Sequence, residues 1–180
     1  ERPGPVWIDV PLDVQSAIID EAKLEGYKPE YEINQIKKQS NYENYINISI
    51  ESTINLLKES KKPLIIFGQG IRIGNCIEDF KKLLELTNIP CISSRLGQDI
   101  LPFSHKNYLG HGGTQGSRYS GHIMNQSDLI ISLGSRLAVP FIGTNLDAFS
   151  KDTKIIMVDI DNNELKKPTI KKFIKKYLPP

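Results

Sequence analysis

The sequence predicts an α/β fold: a doubly wound, mostly parallel sheet with helices on both faces, preceded by an irregular arm. Three observations predict it. Residues 64–67, 128–133 and 154–159 are dominated by continuous apolar runs, the pattern of strands buried on both faces. Segments with apolar residues at helical spacing lie between such runs. Glycines follow the first and second of them, where a strand must turn into the next element.

Taken in order, Val6, Trp7, Ile8, Asp9 and Val10 form a short apolar strand closed by Pro11. The chain enters it almost at once and without an initial methionine, in the manner of an excised fragment. About forty residues rich in Asn, Gln, Lys and Tyr follow with little periodicity, and they read as a linker. From Ser49 the spacing of Ile50, Ile54, Leu56 and Leu57 suits an amphipathic helix ending near Ser60, and Lys61-Lys62-Pro63 then resets the backbone.

The compact domain begins there. Leu64-Ile65-Ile66-Phe67 is a strand, the glycines after it make a turn, and Ile77, Phe80, Leu83, Leu84 and Leu86 recur as on a helix. Residues 90–94 supply the next short strand, 102–116 a long polar loop, and 116–125 another helix. Strands at 128–133 and 154–159 complete the set, separated by a looser segment that includes 144–149. Apolar strands joined by helical crossovers make a Rossmann-like sheet, with ligands expected at the carboxyl ends of its strands.

Composition narrows the function. A chain of 180 residues can bury one sizeable core, as one domain with an arm. The formal charge of +2 is near balance, so nucleic acid is not implied, and the lysine cluster at 166–176 reads as a solvated face. Cys76 and Cys91 form no CxxC pair, which points to reduced thiols in a cytoplasmic protein. No apolar run approaches the roughly 20 residues of a membrane span, so no membrane partner is expected. His105, His111 and His122 lack zinc-site spacing and the cysteines fall on separate elements, so no metal site is assigned.

The strand ends carry the candidate chemistry. Gly68-Gln69-Gly70-Ile71-Arg72-Ile73-Gly74 follows a strand and opens a helix, where backbone N–H groups and the helix dipole can hold a phosphate. The alternative is that its glycines serve only a tight turn and close packing. The spacing is GxGxxxG, and no acid ends the second strand to take a ribose, which disfavours ordinary NAD binding and a free-standing NAD domain. Gly110-His111-Gly112-Gly113-Thr114-Gln115-Gly116 is a second glycine-rich loop able to meet an anion. Arg136, just past the third strand after Gly134-Ser135, suits either a phosphate or a structural ion pair. Asp159 and Asp161 end the fourth strand, where a carboxylate can accept from a ribose or adenine; Asp161 also fits the start of a short capped helix.

In order and spacing, PVWIDVPLDVQ, KKPLIIFGQG, SSRLGQDILP, YLGHGGTQGS, SDLIISLGSRL and IIMVDIDNNELKKPTI together resemble the thiamine diphosphate-dependent enzymes of the acetolactate synthase kind. The resemblance covers most of the chain from Arg2 to Ile170. It implies that residues 1–15 end a pyrimidine-binding domain, 16–60 are linker and leading helix, and 61–180 are the central domain. It also implies that flanking domains of the same chain hold thiamine diphosphate and magnesium, supplying a catalytic glutamate and a GDG-and-Asn motif. Neither motif is found here, so no catalytic residue is assigned and the fragment is expected to be inactive alone. Full-length relatives form homo-oligomers.

In that family the central domain holds FAD, holds ADP, or is empty and only bridges its neighbours. Matched onto this chain, Gly68, Gly70, Gly112, Gly134, Arg136 and Asp159 are the candidate cofactor contacts. Leu137-Ala138-Val139-Pro140 departs from the Phe-Asp-Asp-Arg run of FAD-binding synthases. Three expectations therefore stand side by side: an acetolactate synthase-like enzyme, a specialised decarboxylase or carboligase, and a ligand-free bridging domain.

Overall fold

The computed structural model describes residues 4–26, 42–145, 149, 152–167 and 174–178. The chain divides into two compact units, Glu1–Tyr45 and Ile46–Pro180. Residues 27–41 of the expected linker, 146–148 of the looser segment and the closing 168–170 of the last motif lie outside the described residues.

The first unit contains one helical turn, α1 (Leu12–Gln15), and a 3-10 turn at Glu21–Lys23 whose start is capped by Asp20 accepting from Ala22 N. The expected strand at 6–10 is not formed: these described residues are irregular, and Val6, Trp7 and Ile8 are all at least 80 % exposed. Its apolar composition reads as a strand, but a strand exists only through ladder bonds to a neighbour, and none is paired with it among the described residues.

The second unit is built on six parallel strands: β1 (Pro63–Phe67), β2 (Cys91–Ser93), β3 (Tyr108–His111), β4 (Leu129–Leu133), β5 (Lys154–Val158) and β6 (Ile174–Leu178). Their order is β3-β2-β1-β4-β5-β6, and every neighbouring pair is parallel. This is the expected doubly wound sheet. Helix α2 (Tyr42–Glu59) precedes β1, and helices α3 (Gly70–Ile73), α4 (Ile77–Thr87), α5 (Arg118–Gln126), α6 (Val139–Ile142) and α7 (Asn162–Lys166) occupy the connections.

Strand alternation explains the continuous apolar runs. On β1, Leu64 and Ile66 join one core cluster with Ile130, Ile155 and Met157, while Ile65 and Phe67 join another with Phe80, Leu84 and Ile131. These four β1 side chains are essentially without solvent exposure, because both faces of the strand are covered. Pro63, lacking an N–H, is tolerated as the first residue of the strand. On the second face Phe67 packs on Phe80 and Tyr108 with ring centroids 4.8 and 5.6 Å apart.

Three elements depart from expectation. Helix α2 begins at Tyr42 rather than near Ser49, although its first turns are rich in Asn and Tyr; helix propagation is cooperative and overrides weak local propensity. Strand β3 lies inside the segment expected to be a polar loop, its apolar content limited to Tyr108 and Leu109. Strand β6 overlaps the end of the lysine cluster expected to be a solvated face, and pairs with β5 from Ile155↔Ile174 to Val158↔Leu178. Both are terminal strands of the sheet, where composition is least constrained by burial.

Candidate functional site

The strand order reverses between β1 and β4, and their carboxyl ends are tied together there. Gly68 N donates to Leu133 O and Gly70 N to Gly134 O, each at 3.0 Å. The glycines are required by this approach. A Cβ on Gly68 would overlap the Gly134 carbonyl, and one on Gly70 would lie 2.5 Å from Gly134 Cα. Gly134 adds a left-handed φ of +57°, which disfavours any side chain. The Gly68 and Gly70 N–H groups of the expected phosphate loop are thus committed to backbone bonds; Ile71 N similarly donates to Gly68 O.

Above this junction lies a cavity of about 750 Å³, within the usual range for small-molecule sites. The second glycine-rich loop forms one wall. Gly112 N donates to Ser93 O and Thr114 N to Pro140 O, pinning the loop to the ends of β2 and α6. Gly110 and Gly113 have φ of +84° and +99°, and a Cβ on Gly112 would press on the Phe141 ring at 2.8 Å. His111 points its Nε2 at Gln115 O, 2.8 Å away, fastening the loop to itself.

The opposite wall is apolar. Leu137, Ala138, Pro140 and Phe141 line it, with Leu137 buried in the core at a φ of +46°. Pro140 falls in the first turn of α6, where a missing N–H costs nothing. The stretch that departs from the FAD-synthase run therefore builds a helix and a greasy cavity face.

Arg136 stands at the rim. Its Nη2 is 2.5 Å from Glu164 Oε1, and Lys167 Nζ bonds the same carboxylate at 2.9 Å while also donating to the Arg136 carbonyl. Burial raises the Glu164 carboxyl, but the hydrogen bonds from Lys167 and Arg136 outweigh it and hold the group below the usual range. Asp161 caps α7 by accepting from Asn163 N at 2.9 Å, as its spacing suggested. Asp159 is buried behind it and accepts from Asp161 N at 2.9 Å.

Of the six candidate contacts, Gly112, Gly134 and Arg136 line the cavity together. Gly68 and Gly70 shape its floor through Gly134, and Asp159 does not line it. Gln69, Arg95, Gln98 and Phe141 line it without having been singled out. Arg95 was legible only as a basic residue after a strand; Phe141 carries no polar signal at all. Among the described residues no carboxylate lines the cavity.

A six-stranded doubly wound sheet with a cavity at its β1/β4 reversal defines a Rossmann-like α/β domain, a fold class in which ligands are expected at that point. Within that class, the family described as "thiamine pyrophosphate enzyme, central domain" matches residues 50–175, and the chain belongs to it. It is 33 % identical over 176 residues to a probable acetolactate synthase large subunit of Methanococcus aeolicus. It is 32 % identical over 171 residues both to the acetolactate synthase large subunit of Corynebacterium glutamicum and to the chloroplastic acetolactate synthase 1 of Nicotiana tabacum. Each alignment covers 92 % of this chain, which spans 27, 25 and 24 % of those relatives in turn.

Proposed function

We propose that this chain is the central domain of an acetolactate synthase-like enzyme that decarboxylates a 2-oxo acid such as pyruvate and joins the product to an acceptor. Supporting this reading are the family match and the acetolactate synthases among its relatives. Thiamine diphosphate, with magnesium, supplies the carbanion-stabilising chemistry of such enzymes when bound. This chain's residues do not fit that group: the sequence has no GDG motif, and among the described residues no three His, Cys, Asp or Glu side chains converge as metal ligands. The cofactor therefore belongs to flanking domains of a homo-oligomeric enzyme, which this domain bridges. Alone, with thiamine diphosphate and magnesium added, it releases no carbon dioxide from pyruvate.

The domain's own ligand is an adenine nucleotide of the FAD or ADP kind, and the single observation that carries this is the cavity at the β1/β4 reversal. Its apolar wall of Leu137, Pro140 and Phe141 suits an aromatic ring, while its arginines and the lack of carboxylates among its described lining residues suit phosphate. Gly112, Gly134 and Arg136 are the contacts from the candidate set that reach it. Among the described residues no helix is long and apolar enough to cross a membrane, and both cysteines are free, which supports placing the enzyme in the cytoplasm.

One observation favours a second reading, a ligand-free bridge. The N–H groups of Gly68, Gly70, Gly112 and Thr114 in the glycine loops are already bonded, and Arg136 is already paired with Glu164. Thermal-shift titration with FAD, ADP and NAD separates the readings, since a ligand at about 100 times its Kd adds about 2.7 kcal/mol of stability. Stabilisation by FAD supports the synthase reading, and stabilisation by ADP alone supports a specialised decarboxylase or carboligase. No shift with any of them at saturating concentration leaves the bridge.

A further inference from the structure

The cavity is lined by two arginines, and their surroundings differ. The guanidinium of Arg136 is engaged by Glu164, a carboxylate only 9 % exposed that is also held by Lys167. Its positive charge is largely answered from within the protein. Arg95 also lines the cavity, and no hydrogen bond or ion pair joins its side chain to any described residue. The remaining titratable side chain of the lining, His111, has its Nε2 committed to Gln115 O.

The backbone under Arg95 is firmly placed. It opens the 3-10 turn Arg95–Gly97 directly after β2, and Ser94 N donates to Phe67 O at 2.7 Å while Gly97 N donates to Ser94 O at 3.0 Å. Gly97 is buried against the β1 end, where a Cβ would sit 3.2 Å from Gly68 Cα. A planar cation with five donors, on a fixed turn beside a cavity whose described lining holds no carboxylate, is suited to bidentate capture of a phosphate.

We propose that Arg95, rather than Arg136, reads the phosphate of the nucleotide in this cavity, and that Arg136 is a positioning residue that holds the rim through Glu164. The inference rests on the nucleotide reading above. ADP and adenosine are titrated by calorimetry against the unaltered chain, Arg95→Gln, Arg95→Lys and Arg136→Gln. Loss of a charge-assisted phosphate contact corresponds to a weakening of about tenfold to a hundredfold. Arg95→Gln is expected to weaken ADP by that factor, leave adenosine affinity and the unliganded melting temperature unchanged, and be partly rescued in Arg95→Lys. Arg136→Gln is expected to lower the unliganded melting temperature and to affect ADP less. If Arg95→Gln binds ADP as the unaltered chain does, the role of Arg95 is refuted while the nucleotide site stands. If the unaltered chain binds neither ADP nor adenosine, the nucleotide reading falls and this inference falls with it.

Discussion

Gly134 shows how much of the site rests on one missing side chain. Its left-handed φ permits the turn after β4, and its bare Cα lets the β1 loop come close enough to receive the Gly70 N–H. A Cβ there would lie 2.7 Å from Gly70 Cα. Gly134→Ala combines a conformational penalty with overpacking against backbone that cannot move aside, and the two sum to about 2–4 kcal/mol. The urea midpoint is expected to fall accordingly with the m-value unchanged; a loss under about 0.5 kcal/mol would mean the two loops part easily. Cys91 makes a complementary point: buried in the core beside β1, its thiol is pushed up to about 12 by desolvation, so it behaves as a small apolar side chain.

Between elements, Asp128 is the fastening that joins the end of α2 to the start of β4. Its carboxylate accepts from the Ser60 hydroxyl, from Lys61 N at 2.8 Å and from Lys62 N at 3.1 Å. Burial raises the group, yet these donors prevail and its pKa is lowered. A carboxyl depressed in the folded state contributes stability that is fully present above its unfolded pKa, near 4, and is lost as pH falls through the folded value. Asp128→Asn is therefore expected to cost about 1–2 kcal/mol at pH 7 and progressively less below pH 4. Urea melts between pH 7 and 3 check this, and a cost that stayed constant across the range would remove the charge from the explanation.

For the whole molecule, the division into two units has an optical consequence. Trp7 is the single tryptophan, and it is 91 % exposed in the first unit, while the aromatic packing around Phe67 lies in the second. Tryptophan emission is expected to be that of a solvated indole, open to iodide quenching, and nearly unchanged across a urea transition that far-UV circular dichroism records as cooperative. A blue-shifted, protected tryptophan would show that the apolar stretch from Val6 to Val10 is covered in solution.

What the sequence by itself determined is the part of this protein that burial enforces. Central strands β1, β4 and β5 are covered on both faces, so their positions strongly favour apolar residues, and the runs at 64–67, 128–133 and 154–159 announced them. Asp161 as a helix cap was likewise legible, because capping is local. Tertiary structure alone decided the rest. Strands β3 and β6 end the sheet, where ladder bonds to one neighbour suffice and lysines or a polar loop composition are tolerated. The strand-like segment at 6–10 stays irregular for the converse reason, since apolar residues do not make a strand without a partner. The glycine motifs read equally as phosphate loops or as close packing, and only the fold shows where their N–H groups go. Arg95 and Arg136 look alike as letters; the carboxylate that occupies one and not the other comes from Glu164, 28 residues beyond Arg136 in the chain and 2.5 Å away in space.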